Sequence, residues 1–409
     1  MVLRRQMLVN TIGACVYLGV QWVMTIIIAR TLGYFAAGTL GIAVSVSNVF
    51  MVIAQFSMRQ FQVSDIEQKY SSYAYVKSRY ATCLCAMFFC FLFCLINQYD
   101  QQKIFCIMAF MLIKVSEALS DVYQGIEQKY LKYDYICFSH IIRGGLFFLT
   151  LVIGCIYQKK LEVILSIIAV ELILFVLLFE RNYSKKIDKL FYQGAKSVSE
   201  LIRECFPLVI YSFCITYIPV FPRLIYEKMF GEQNLGYFMS ISSPTMIINA
   251  VISLLLTPLI PIVSELCRDK KIKQIENILF KLLATFGFLI LISVYASKYV
   301  GGFVLELLFG YEIVPYVYTL APIMISTIVI SIIWTFGSIL IIIRKIDILV
   351  KCSIGAVIME LVLASKMIEI FDMNGISYSI IISMGVLSIC FFVIVVKFLK
   401  GLEKDGRLE

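Results

Sequence analysis

Residues 31–58 read TLGYFAAGTLGIAVSVSNVFMVIAQFSM, twenty-eight positions without one charged side chain. About 20 apolar residues in a helix cross the roughly 30 Å hydrocarbon core of a bilayer. A soluble helix of this length would carry a polar face. The stretch therefore reads as a membrane span. Residues 80–99, 237–262 and 373–396 are uncharged in the same way.

Working outward, apolar segments recur near 8–30, 36–58, 79–97, 103–122, 136–157 and 161–180. After a polar stretch they continue near 204–226, 236–262, 278–298, 314–343, 348–370 and 374–397. The reading is an all-α integral membrane protein of about twelve transmembrane helices. Composition agrees: the 409 residues are 61% hydrophobic and 15% charged, against about 45–50% and 25% in soluble domains. A soluble enzyme and a nucleic-acid-binding protein are excluded on that ground. The net charge of +9 falls in loops, where it meets anionic membrane lipids. The first apolar run follows Arg4 and Arg5 and continues to Ala29. This is longer than a signal-peptide core of about 7–15 residues, so it is expected to remain as the first span.

The Lys/Arg bias orients the chain. Alternate loops on the side of the N-terminus hold 25 Lys and Arg, and the opposite loops hold 7. Both termini are expected in the cytoplasm. The outward loops are too short to house a polar enzymatic domain, and no GxxxxGK[ST] phosphate loop is present. The 13 cysteines lie mostly in apolar runs and read as small hydrophobes. His140 is the single histidine, so neither a metal site nor a histidine-based catalytic centre is expected. No cofactor is implied.

The stretch from Arg181 to Arg203 divides the chain into a first lobe (1–180), a cytoplasmic linker (181–203) and a second lobe with a short cytoplasmic tail (204–409). The halves look related. Gly33 and Gly38 follow span one, and Gly231 and Gly236 follow span seven, with the same spacing. Parallel repeats place a substrate site near the midplane between two six-helix lobes, around a central cavity. All eight prolines fall in the second half, where Pro207, Pro219, Pro222, Pro244, Pro258, Pro261, Pro315 and Pro322 mark candidate kinks.

Charges persist inside the spans, although one at a helix centre costs about 2.5–3.5 kcal/mol. Span four carries Lys114, Glu117 and Asp121, spaced i, i+3, i+7 on one helix face. Span five carries His140 and Arg143, span six Glu171, span seven Arg223, and span eleven Glu360. Arg30 closes span one and Arg59 closes span two. Each could be half of a structural ion pair, Lys114 with Glu117 for example. As a set they fit a hydrated cavity. Arginine grips phosphate in a bidentate fork, so Arg30, Arg59, Arg143 and Arg223 suit a diphosphate-bearing substrate. Lys114, Glu117, Asp121, Glu171 and Glu360 then either hold those arginines or carry a coupling proton or Na⁺.

The turn Ala29-Arg30-Thr31-Leu32-Gly33 with Gly38 resembles the opening helices of Wzx-type polysaccharide flippases. These belong to the multidrug/oligosaccharidyl-lipid/polysaccharide exporter (MOP) superfamily. Phe61-Gln62-Val63-Ser64-Asp65 with Tyr75 and Arg79 is similar to a motif after span two of that family. Gly125-Ile126-Glu127-Gln128 and the segment from Gly231 to Tyr237 fit the same pattern. The resemblance covers essentially the whole chain. It implies a V-shaped, two-lobe transporter in the bacterial inner membrane. Such a transporter flips an undecaprenyl-diphosphate-linked oligosaccharide outward by alternating access, with no covalent chemistry, and has a polysaccharide polymerase as a possible partner. By position, the cationic cavity role comes to Arg30, Arg59, Arg143 and Arg223.

Three alternatives stand beside it. A cation-coupled drug antiporter of the same superfamily commonly has an acid in the first helix, and none lies between Met7 and Ala29. A lipid II flippase usually has fourteen spans. A polymerase enzyme needs a large outward loop, which this chain lacks.

Overall fold

The chain was analysed as a computed structural model that describes residues 2–65, 69–188, 197–246, 248–249, 252, 259–269 and 271–405. Among these, every regular element is helical. Nine helical stretches among the described residues are long and apolar enough to cross a membrane. Two further helices, Gln101–Lys129 and Ile346–Phe371, are 29 and 26 residues long and carry charge within their length. Much of the eighth expected span (236–262) lies outside the described residues, as does part of the expected linker (189–196) and Pro258.

The chain divides into two compact units. The first is residues 1–216 with Glu232–Gly236, and the second is Tyr217–Gly231 with Tyr237–Glu409. In the first, α1 (Val2–Thr31), α2 (Gly33–Gln55), α4 (Ser72–Ile96), α5 (Gln101–Lys129), α6 (Tyr133–Ile156) and α7 (Leu161–Phe175) are the long helices. A short α3 (Met58–Ser64) follows α2. A π-helical turn, Val176–Glu180, carries α7 into α8 (Arg181–Ile187). α1 packs along α6, while α5 touches α2, α4 and α7.

The helix boundaries have local causes. α1 stops at Gly33, which sits at φ +85, a conformation that glycine adopts without the Cβ clash other residues meet. α2 ends where Phe56 and Ser57 turn left-handed, at φ 52 and 51, with the Phe56 N–H returned to the Val52 carbonyl. α4 begins at a Ser71 cap, whose hydroxyl accepts from the Ala74 N–H at 3.1 Å. Sequence reading starts that span at 79 and ends the next at 122. The helices instead begin at 72 and run to 129. Two of the charges that made those segments look like loop are buried in the bundle: Arg79 is 0% exposed and Glu127 2%.

α2 is enclosed on most of its circumference, and glycine permits its closest approach. A Cβ on Gly38 would run into the Glu232 carbonyl and lie 3.1 Å from the Gly236 nitrogen. A Cβ on Gly236 would run into the Tyr34 carbonyl and lie 3.0 Å from the Gly38 nitrogen. The two glycines of the sequence repeat thus meet face to face. Glu232 holds the crossing, accepting from Lys103 at 3.0 Å and from the Thr39 hydroxyl.

The ninth helix, α9 (Val198–Tyr217), contains Pro207 and belongs to the first unit up to Thr216. The second unit contains α10 (Phe221–Phe230), most of α11 (Glu232–Ser242), α12 (Leu259–Arg268), α13 (Ile272–Ala296), α14 (Gly302–Phe309), α15 (Leu320–Ile342), α16 (Ile346–Phe371) and α17 (Met373–Asp405). A π-helical turn joins α13 to α14, and a 3₁₀ segment at Tyr311–Thr319 precedes α15. α17 packs on α15 and α16, and α10 on α16 and α17. Pro222 stands in the first turn of α10, where a missing N–H leaves no bond unmade. Leu84, Phe88, Phe280, Phe288 and Leu291 are all more than half exposed, the arrangement a lipid-facing surface requires.

The glycine crossing gives the first test. Gly38→Val and Gly236→Val each force backbone apart and are expected to destabilise the protein by about 1–3 kcal/mol. A Cβ on Gly19 meets nothing within 4 Å, so Gly19→Ala, inside a helix, serves as the control and is expected to be at least as stable as the wild type. Unfolding midpoints in detergent measure all three.

Candidate functional site

The polar side chains of the first unit converge on α5. Its row Lys114, Glu117, Asp121, Gln124, Gln128 advances by three and four residues alternately, which keeps one face aligned along the helix. Three groupings form along that row.

The first surrounds Glu117. One carboxylate oxygen accepts from the Tyr17 hydroxyl at 2.9 Å and the Gln21 amide at 2.6 Å, and the other from Lys114 Nζ at 2.9 Å. Arg143, 2% exposed, lays its guanidinium over the Tyr17 ring, 4.9 Å from the centroid. Its Nη2 reaches Tyr17 Oη at 3.5 Å and Ser116 Oγ at 3.4 Å, both long for hydrogen bonds. Arg143 Nε has no partner. His140 stacks at a tilt on Tyr17, 5.9 Å between rings.

One turn on, Asp121 ties three helices. Arg79 Nη2 donates to Asp121 Oδ2 at 2.9 Å, and its Nη1 donates to the Ala54 carbonyl at 3.1 Å. Arg59 donates to the Asp121 carbonyl, to Oδ1 at 3.3 Å and to Gln128 Oε1 at 2.8 Å. Gln62 caps the Val122 carbonyl at 2.9 Å. Two guanidinium groups thus share one carboxylate.

The third grouping lies at the ends of α5 and α6 and in the π turn. Glu180 accepts from Ser120 Oγ at 2.8 Å and from Ser139 Oγ, and Glu127 accepts from Ser184 Oγ at 3.3 Å. On the other side of α8, between α4 and α5, a 250 Å³ cavity is lined by Lys77, Arg181 and Lys185 and three tyrosines.

The sequence-derived candidates are accordingly distributed. Lys114, Glu117 and Arg143 share one cluster, and Arg59 and Asp121 share the next. Arg30 is exposed at the end of α1. Glu171 stands apart in α7, taking a bond from Thr150 at 2.7 Å. Arg223 and Glu360 belong to the second unit. The Arg223 guanidinium lies 6.0 Å from the Phe238 ring, and Glu360 accepts from Ser383. Sequence reading did not place Arg79, Glu127, Glu180, Tyr17 or Gln21 among the site candidates. The alternating spacing beyond Asp121 was the available signal for Glu127 and its neighbours, since it carries the polar face of α5 past residue 122.

A chain of membrane-length helices that buries arginines and carboxylates inward and turns phenylalanines outward is a multi-pass membrane protein with a polar interior. It belongs to the polysaccharide biosynthesis protein family, whose pattern it matches over residues 3–267. It is 26% identical over 209 residues to the capsular polysaccharide biosynthesis protein CapF of Staphylococcus aureus. That match takes in 50% of this chain and 53% of CapF, about half the length of each. Its fold is that of MOP-superfamily transporters. It is similar to a multidrug resistance MATE family transporter in an inward-facing conformation, with TM-score 0.68, 12% identity and 95% of both chains covered. It is also similar to a MOP superfamily transporter of Pyrococcus furiosus, with TM-score 0.65, 11% identity, and 98% and 97% of the two chains covered. For that archaeal protein, a reverse polarity of the binding pocket suggests a different function.

The Asp121 cluster makes a specific prediction. Asp121→Asn leaves Arg79 buried without its counter-charge and is expected to cost on the order of 3–5 kcal/mol. Arg79→Lys is also expected to destabilise, since one ammonium cannot reproduce the planar fork spanning Asp121 and Ala54. Thermal unfolding of the purified protein measures both.

Proposed function

We propose that the protein flips an undecaprenyl-diphosphate-linked oligosaccharide repeat unit from the inner to the outer leaflet of the bacterial inner membrane, by alternating access, for surface polysaccharide biosynthesis. Membership of the polysaccharide biosynthesis family carries the reading, and the transporter fold supports it. The chemistry is compatible. A diphosphate needs cationic partners inside a low-dielectric interior, and arginine supplies a planar pair of donors. Arg143 is the best-suited of the four arginines. Its contacts to Tyr17 and Ser116 are at the limit of hydrogen-bond length, so an incoming phosphate oxygen displaces little. Arg59 is held more firmly by Asp121 and Gln128 and is assigned a supporting role. Arg30 and Arg223 are assigned to the substrate path by position. On this reading the two lobes are 1–180 and 204–409, joined by 181–203, with both termini cytoplasmic. No bond is made or broken in the substrate. The polyprenyl tail stays in lipid, and a polysaccharide polymerase receives the product.

One observation favours a second reading, a cation-coupled antiporter of the MATE type. α1 contains no acid of its own between Met7 and Ala29, yet the Glu117 carboxylate is bonded to Tyr17 and Gln21 of that helix. An acid is thereby presented to α1 from α5.

Deletion of the gene separates the two. The flippase reading predicts that a completed diphosphate-linked repeat unit accumulates on the cytoplasmic leaflet, detected by mass spectrometry of membrane lipids with leaflet-specific labelling. Arg143→Ala is expected to abolish rescue and Arg143→Lys to restore it in part. Sensitivity to cationic drugs without lipid accumulation would instead establish the antiporter.

A further inference from the structure

Two exposed cations of α8 fall on one side of that short helix. Arg181 and Lys185 are spaced i, i+4, which makes them neighbours on a helix surface. α4 presents a matching row. Its Tyr73, Lys77 and Tyr80 stand at i, i+4 and i+7, on one face. Between the two rows lies the cavity of 250 Å³, lined by all five of these side chains and by Tyr123 of α5. A water takes up about 30 Å³ of liquid, so the space admits a group much larger than a solvent molecule.

Charge in this cavity has one sign. Three cations line it and no carboxylate does. Glu180, next to Arg181 in the chain, turns away to Ser120 and Ser139. Among the described residues no salt bridge reaches Lys77 or Arg181. Like charges gathered at one cleft repel each other and together focus their field on it, and an anion relieves that repulsion. The floor of the cavity adds a neutral donor. Tyr123 is 0% exposed, and its hydroxyl meets that of Tyr80 at 3.2 Å. The bond between two hydroxyls uses one of their protons, and the other is left for a third oxygen.

The surroundings indicate what kind of anion. Along α4 from Lys77, on the same face, Leu84, Phe88, Phe91 and Leu95 follow at helical spacing, and all four are exposed. That is a lipid-facing surface. Tyr73 and Lys77 end it, at the level where aromatic and basic side chains meet lipid headgroups. A headgroup seated in the cavity therefore keeps its hydrocarbon chains against α4.

We propose that Lys77, Arg181 and Lys185, with the hydroxyl pair of Tyr80 and Tyr123, bind the phosphate of an anionic membrane phospholipid. Arg181 offers a planar pair of donors to two phosphate oxygens, and the lysines add compact charges. A zwitterionic headgroup would bring its own ammonium into a cleft of three cations without an acid, so the site selects against it. The bound headgroup joins α4 to α8 across α5. This binding does not depend on what the protein transports.

The test uses the purified full-length protein in detergent, with single lipids added back, and needs no lipid-linked sugar. Unfolding is followed by reactivity of the free cysteines. Phosphatidylglycerol raises the midpoint saturably, and phosphatidylcholine does not. Native mass spectrometry of the same sample shows one phosphatidylglycerol held more tightly than the rest. Lys77→Gln, Arg181→Gln and Lys185→Gln each weaken that binding about fivefold. These side chains are exposed, so the variants are expected to fold. Tyr123→Phe also weakens it, without any change of charge, which a loose basic patch would not show. A control with Lys129, Lys132 and Lys397 all changed to Gln removes as much charge and keeps the tight lipid. Equal stabilisation by phosphatidylcholine, variants that hold phosphatidylglycerol as the wild type does, or a control that loses it equally, overturns the proposal. Inorganic phosphate that matches phosphatidylglycerol at equal concentration makes this a site for free phosphate and overturns the lipid assignment. Undecaprenyl diphosphate that displaces phosphatidylglycerol from the wild type, at a lower concentration, gives the site to the transported substrate and overturns it too.

Discussion

Asp121 is the fixed point of the first unit. It faces two guanidinium groups, and one of them, Arg79, has no exposure to solvent at all. A buried guanidinium left without its counter-charge is costly, so the carboxylate must stay where it is. That requirement sets where α3 and α4 lie against α5, because Arg59 and Arg79 come from those two helices. The Arg79 bond to the Ala54 carbonyl, shared with the Thr82 hydroxyl at 2.8 Å, adds the end of α2, where the left-handed turn at Phe56 and Ser57 stops the helix. The ends of α2 and α3 and the early turns of α4 are thereby placed against the middle of α5 by one carboxylate, and the apolar packing fills in around them.

A second constraint acts through backbone rather than charge. Gly38 and Gly236 touch so closely that any side chain on either would strike a main-chain atom. At that crossing Glu232 sits under Thr39 and Lys103. Association inside a membrane lacks the hydrophobic drive available in water and relies on close van der Waals contact and polar bonds. The crossing supplies both. Gly33 and Gly231, the leading glycines of the repeated pair, stand at φ +85 and +84. The repeat is therefore a repeated device, a left-handed stop followed five residues later by a bare backbone face. Its sequence spacing showed that it recurs, but not that its two copies meet.

The helices were legible in the sequence because a run such as 31–58 allows nothing else, and the polar face of α5 was legible in the spacing of Lys114, Glu117 and Asp121. The ends of the helices were not. A charge at the margin of an apolar run reads as loop whenever its partner lies far along the chain. Arg79 needs Asp121, forty-two residues on, and Glu180 needs Ser120 and Ser139. Boundaries drawn at charges consequently cut α4 and α5 each about two turns short. The same blindness hid Glu127 and Glu180 as candidates, while Lys114 and Glu117, partners on one helix, were seen at once.

Buried charge in this protein comes in two conditions, and the difference bears on what moves. Asp121 is bonded through both carboxylate oxygens and its carbonyl, so any displacement breaks several interactions together. Glu127 and Glu180 are bonded through one oxygen each, and Arg143 through contacts of 3.4 and 3.5 Å. A group whose bonds are complete resists exchange of partners, whereas one with a lone pair or an N–H to spare accepts a new partner while keeping the old. Transport of a charged species requires groups of the second kind, held in place by groups of the first. The spacing along α5 separates them by single turns. Asp121 anchors the middle of the polar face, while Arg143 beside Glu117 and the glutamate pair beyond Gln124 lie to either side of it.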